Sequence, residues 1–214
     1  NIYMSKKFNP KRKPNKLPYR KVGECYLFYK GKLVAQDAGH YLSLPGGGID
    51  RGETPEKGAA RELMEELGAV LKGKLKIINE MTWDWDPSWA NTEKRKGRYM
   101  KFRGEKVISL FGIVDKFVKP TSDEGDAWVG SKLMRIQDAI DYLENKKDNL
   151  EYPNQKKYIE YQIACLEELN TRNNPSVPFG PRPNPNPDSE WRHGKAMSEE
   201  QDPFASMFKE TPAF

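Results

Sequence analysis

Histidine and cysteine are nearly missing from this 214-residue chain, with two of each. Cys25 and Cys165 lie far apart, fit no metal-ligand spacing and build no disulfide framework. A cysteine-stapled secreted fold and a zinc-ribbon type of site are therefore excluded, and a reduced, intracellular setting is expected. His40 and His193 are too few for a histidine metal centre. His40 precedes a glycine-rich stretch and reads as a surface or core residue ahead of a substrate contact. No apolar run approaches the length needed to cross a bilayer, and no leader-peptide pattern is present, so a cytoplasmic protein is expected. Apolar residues make up only 36% of the chain. With a mean hydropathy of −0.87, the core can be modest and cannot run the whole length. The formal net charge of +5 mildly favours polyanionic partners.

Composition divides the sequence into three segments. Residues 1–21 carry Lys6, Lys7, Lys11, Arg12, Lys13, Lys16, Arg20 and Lys21 with no acid, interrupted by Pro10, Pro14 and Pro18. Prolines and like charges oppose a helix and predict a solvated, extended arm. An electrostatic grip on nucleic acid is the sharper alternative. Residues 22–172 hold the periodic apolar patterns and form the expected globular domain. Residues 173–214 contain Pro175, Pro178, Pro181, Pro183, Pro185 and Pro187, an extended linker. Beyond that linker, Phe204, Met207 and Phe208 form an apolar cluster suited to docking on this domain or on a partner.

The chemistry concentrates in residues 46–70. Gly46, Gly47 and Gly48 can bring backbone close to a phosphate or metal, because glycine has no Cβ. A helix follows, with Thr54 as N-cap, Pro55 at the first helical position and Gly68 as the C-terminal glycine. At about 100° per residue, Ala60, Leu63, Met64 and Leu67 share an apolar stripe. Glu62, Glu65 and Glu66 centre on the opposite side with Gly58 beside them. Three like charges in two turns destabilise a helix. Clustered oxygen donors of this kind suit a hard divalent cation, although a solvated acidic face is the plainer reading of the helix alone.

The whole string resembles the Nudix box, G-x5-E-x7-R-E-U-x-E-E-x-G-U, where U is bulky and aliphatic. Gly47, Glu53, Arg61, Glu62, Leu63, Glu65, Glu66 and Gly68 fill its fixed positions. Only the last soft position departs, with Ala69 followed by Val70. The resemblance implies a Nudix fold, an α/β architecture with a mixed sheet between helices (α/β/α). It also implies Mg2+ (or Mn2+) and hydrolysis of a nucleoside diphosphate linked to another moiety. Glu62, Glu65, Glu66 and the Gly46 carbonyl are the implied metal ligands. Arg61 pairs with Glu53 and orients the carboxylates, and Glu62 or Glu124 is the general base.

Around the box, 22–45 read as strands with a turn at Lys30 and Gly31. Trp83 and Trp85 share a strand face and Trp89 follows, which reads as core packing or a base-stacking platform. Residues 92–106 are rich in Lys and Arg. Gly97 and Gly104 suggest a loop or hairpin there, with Arg98 a contact for polyphosphate or an RNA backbone. Residues 107–118 are apolar and β-branched, a central strand. An acidic stretch follows, with Glu124 and Asp126 as candidates for an additional ligand or base. Residues 136–148 and 153–171 read as covering helices.

Substrate is less determined. The downstream proline that marks ADP-ribose enzymes in the family is replaced by Trp85, with Pro87 two residues on. The tyrosine of the diadenosine polyphosphate class and the NADH signature are both absent. A small nucleoside diphosphate derivative is expected, with the 5′ end of RNA as the alternative. A non-catalytic nucleotide-binding or assembly module is the alternative of another class.

Overall fold

In the computed structural model, residues 13–39, 41–122, 132–148, 150 and 153–172 are described. Strand β1 (Arg20–Tyr29) and strand β2 (Lys32–Asp37) form a hairpin, with Tyr29 opposite Lys32. Lys30 and Gly31 close it with φ of 49° and 74°, the two positive values that a tight two-residue turn needs. Two short strands follow, β3 (Leu42–Ser43) and β4 (Gly46–Gly48). β4 lies antiparallel on the start of β1, with Val22 opposite Gly48 and Glu24 opposite Gly46.

Helix α1 (Pro55–Leu67) follows the predicted capping: Thr54 accepts from the Lys57 N–H, and Gly68 takes the left-handed conformation at φ 63°. The buried stripe differs from the one expected. Ala59 and Leu63 enter the core, while Met64 does not. Gly23 of β1 accounts for the rotation, since a Cβ there would stand 3.1 Å from the Ala59 Cβ. The helix settles onto that bare spot of the strand.

Strands β5 (Ala69–Leu71) and β6 (Lys76–Asp84) lead to helix α2 (Glu93–Lys101) and strand β7 (Gly104–Phe117). β7 is the centre of the sheet, as its composition predicts. It runs parallel to β1 from Arg20 opposite Glu105 to Phe28 opposite Ile113, and antiparallel to β6 and β5. Strand β8 (Lys132–Met134) adds to β2, and helices α3 (Ile136–Lys147) and α4 (Pro153–Arg172) complete the described chain.

Alternation along the strands supplies two cores. Cys25, Leu27, Ile108 and Leu110 pack towards Ala59 and Leu63 of α1. Tyr26, Phe28, Val107 and Phe111 pack towards α3 and α4, through Leu143, Ile159 and Leu166. The result is a mixed sheet between helical layers, the expected α/β/α arrangement.

The 92–106 segment is a correction. It is neither loop nor hairpin over 93–101 but helix α2, capped by the Thr92 hydroxyl accepting from the Arg95 N–H. Gly97 weakens that helix, and tertiary packing compensates. Tyr99 is buried with Trp85 and Ala90, while Trp83, Trp89 and Phe102 pack around them in a satellite core. Among the described residues no helix is long and apolar enough to cross a membrane.

Candidate active site

The first turns of α1 face β4, and one side chain gathers the acids between them. Arg61 grips Glu53 with two hydrogen bonds, Nε to Oε1 at 2.9 Å and Nη2 to Oε2 at 3.0 Å. Its Nη1 donates to Glu62 Oε1 at 2.9 Å and to Glu65 Oε2 at 3.2 Å. Nη2 also donates to the Gly48 carbonyl at 3.1 Å. Glu53 in turn accepts from the Asp50 N–H at 2.9 Å, which closes the 49–53 loop onto the helix. The Arg61 hydrogen bonds pull the Glu53 carboxyl down to about 2. The same partners hold the Arg61 guanidinium firmly protonated.

Gly47 is required by this packing. A Cβ there would stand 2.3 Å from Glu62 Oε2, so any side chain would displace the carboxylate. Glu66 is half-buried one residue beyond Glu65. The donors are all oxygen, carboxylates packed against glycine backbone, which suits a hard divalent cation. Among the described residues no three acidic, histidine or cysteine side chains already stand as a metal-holding group. Glu62 and Glu65 converge instead on the Arg61 guanidinium.

A cavity of about 880 Å³ opens on the opposite face of the sheet. Val22 and Glu24, the pairing partners of Gly48 and Gly46, form part of its wall, so strand β4 borders both features. Trp83, Trp85, Trp89 and Tyr158 line it as well. Trp85 stacks on Trp89 at 3.8 Å and 11° between planes, while Trp83 meets Tyr158 edge-on at 5.1 Å. Trp85 is packed at 5% exposure, as the core-packing reading expects, and half-buried Trp83 lines the cavity.

Glu24 lies in that wall, 8% exposed. Tyr26 donates to its Oε1 at 3.3 Å and Tyr158 to its Oε2. Gln162 donates to the Tyr158 hydroxyl at 3.2 Å and to the Leu42 carbonyl at 2.7 Å. Burial outweighs these bonds and pushes the Glu24 carboxyl up to about 7. Glu105, also in the wall, is raised by burial and partly restored by Arg20.

Of the site residues expected from sequence, Gly46, Gly47, Gly48, Arg61, Glu62 and Glu65 come together at the junction of α1 and β4, and Glu66 lies in the last turn of the same helix. Trp83 and Trp85 lie across the sheet at the cavity, and Arg98 is half-buried on α2. Glu124, Asp126 and His40 lie outside the described residues, as do the 1–12 part of the basic arm and the 173–214 tail. Glu24, Glu105 and Tyr158 were not foreseen. The signal for the first two was an acid inside an otherwise strand-like run.

An α/β/α domain with a caged Arg–Glu helix against a glycine strand defines a class, and comparison with known families agrees with it. The NUDIX domain matches residues 21–161, and the chain belongs to that family. Enzymes of the family use divalent metals. An 8-oxo-dGTP diphosphatase from Haemophilus influenzae is 48% identical over 48 residues, 22% of this chain. The match thus spans about a third of that curated relative's length, 34%. Among solved structures, a NUDIX hydrolase from Nitrosomonas europaea has a TM-score of 0.41 at 16% identity, covering 71% of this chain and 88% of its own. A MutT protein from Methanosarcina mazei Go1 has a TM-score of 0.40 at 16% identity, covering 74% and 97%.

Proposed function

We propose that this chain hydrolyses the pyrophosphate bond of a nucleoside diphosphate linked to another moiety, using Mg2+ (or Mn2+). The observation that carries the reading is the convergence of Glu62 and Glu65 on one cationic point beside the Gly47 and Gly48 backbone. Arg61 is the cation between these two carboxylates and offsets their repulsion, so they can stand together as oxygen donors for a divalent ion. Glu62, Glu65 and Glu66, with the Gly46 carbonyl, would hold the divalent ion. When bound, the ion supplies Lewis acidity and neutralises charge on the phosphoryl group.

The chain's own residues do the rest. Arg61 anchors the helix carboxylates to Glu53 and to the loop, so their positions are fixed before substrate arrives. Glu62, or Glu124 from the acidic stretch, takes the proton of the attacking water. The aromatic cavity receives the moiety attached to the diphosphate, with Trp83 as a stacking surface. The 22–172 domain, extended to Arg20 by strand β1, carries this chemistry.

A second reading, hydrolysis at the 5′ end of RNA, is favoured by α2. This helix carries Lys94, Arg95, Arg98 and Lys101, and Arg95 lines the cavity. The test is a Mg2+-dependent assay on the full chain. Its panel is ADP-ribose, NADH, dinucleoside polyphosphates, nucleoside triphosphates, and 5′-triphosphate or capped RNA. Turnover of at least one small nucleotide is expected. Strongly salt-sensitive turnover of RNA alone would establish the second reading. Binding without turnover of any panel member would instead make the chain a nucleotide-binding module.

A further inference from the structure

Between the cavity and the glycine strand lies a group of arginines to which the small-nucleotide reading above gives no part. Arg20 opens β1, in register with Glu105 of β7. Its guanidinium reaches both ways. Nη1 is 3.2 Å from Glu105 Oε1, and Nη2 stands 2.7 Å from where a Cβ on Gly48 would sit. The Gly48 carbonyl is the one that holds Arg61 Nη2, so Arg20 and Arg61 attend the same glycine.

Arg95 approaches from α2. It lines the cavity together with Glu105, and its guanidinium lies over the Trp89 ring at 5.4 Å. Arg98 follows three residues on, hence on the same side of the helix, and is half-buried. Burial, then Arg20, then Arg95 weaken the proton affinity of Arg98, with Glu105 opposing the two arginines. Glu105 feels all three arginines, and its side chain is only 17% exposed. Two carboxylates, Glu105 and a Glu24 that burial lifts to about 7, stand against three guanidinium groups, which leaves excess positive charge in a partly desolvated place. Such a cluster is unfavourable alone and is relieved by an anion that accepts several N–H donors at once.

We propose that Arg20, Arg95 and Arg98 form an anion site that holds the phosphate chain of a nucleotide between the cavity and strand β4. Glu105 is the internal counter-ion that keeps Arg20 in place when no phosphate is there. The proposal rests on the hydrolase reading and adds the direction of the substrate. The aromatic moiety enters the cavity, the phosphates cross the arginines, and the bond to be broken arrives at α1. Free nucleotides and 5′-phosphorylated RNA share this chemistry.

The test uses the full chain without metal, where no turnover interferes. Calorimetric titration with orthophosphate, pyrophosphate and tripolyphosphate needs no assumption about the base. Affinity is expected to rise with each added phosphate. Arg98→Ala and the more exposed Arg95→Ala should each weaken tripolyphosphate about tenfold or more. Lys32→Ala, the same charge change on the far hairpin, should leave it unchanged. Glu105→Gln should tighten it, a sign that a merely structural role for Glu105 would not produce. With Mg2+ and a turned-over substrate, the arginine variants should raise KM more than they lower kcat.

Equal affinity for one and three phosphates, or well-folded arginine variants with unchanged affinity, would overturn the proposal. Turnover with unaltered KM in those variants sinks the anion site and leaves the hydrolase reading standing. Phosphate binding lost in the variants with no turnover of any substrate does the reverse. Repeating the titration with ATP and a 5′-triphosphate oligoribonucleotide separates the two sources. Tighter, salt-sensitive binding of the oligonucleotide assigns the site to RNA ends, and equal binding assigns it to free nucleotides, each with the same three arginines.

Discussion

Glu53 and Glu24 are the same side chain on opposite faces of one sheet. On the α1 side, Arg61 holds Glu53 down to about 2. On the α4 side, burial lifts Glu24 to about 7 although Tyr26 and Tyr158 both donate to it. The first face manages carboxylates with a guanidinium in contact with solvent, and the second manages one by taking water away. Charge at neutral pH is therefore secured at Glu53 on the α1 face. At Glu24 on the α4 face it stands close to balance.

The comparison can be broken at several points. The largest effect is expected at α1. Glu65→Gln or Glu66→Gln should lower turnover about a thousandfold or more at saturating Mg2+. Circular dichroism and the unfolding midpoint should stay close to those of the parent, and retained activity in both variants would move the site off this helix.

Glu24 provides the next. Its folded value of about 7 lies above the ordinary 4.5. The folded state therefore holds that proton more tightly. The resulting stability is complete below pH 4.5 and is lost as pH rises through about 7, roughly 3 kcal/mol in all. Glu24→Gln has no such proton to lose. Urea unfolding across this window should show the variant gaining on the parent up to about pH 7 and a constant gap above it. Parallel profiles would mean that Glu24 is solvated.

Arg61→Lys should cost about ten- to a hundredfold in turnover, since an ammonium cannot hold both Glu53 oxygens while reaching Glu62 and Glu65. A loss confined to metal affinity would narrow its role to ligand orientation. The smallest effect is expected at Gly97→Ala. Apart from the adjoining residues and the helix's own backbone, no atom lies within 4 Å of the added methyl. It should stabilise α2 by about 0.5–1 kcal/mol and raise the midpoint by about 2 °C.

The two faces also differ in how far the sequence reveals them. Everything at α1 is local. Glu53, Arg61, Glu62 and Glu65 lie within four turns of one another, so spacing alone gives their geometry, and Thr54 and Gly68 mark the ends. β1 and β7 are equally legible, because alternation and apolar composition leave few other roles for them. The cavity is the opposite case. Glu24 meets Tyr158 across 134 positions, and Glu105 meets Arg20 across 85. No periodicity records such pairings. Arg20 reads as the last of a run of basic arm residues, although it is the first residue of β1. Helix α2 is hidden in the sequence for a related reason. Gly97 and Gly104 are locally poor helix and strand residues, and the packing of Tyr99 against Trp85 overrides the first of them.

The two free thiols lie one in each core. Cys25 is wholly enclosed among the residues that meet α1, and Cys165, on α4, is 1% exposed in the opposite layer. Burial raises the proton affinity of both, so neither reacts until its own layer opens. The chain thus carries two internal clocks. The rate at which each thiol is alkylated in the native state times the opening of the layer that covers it. A nucleotide that bridges cavity and glycine strand should slow both clocks, whereas a ligand confined to one face should slow only one.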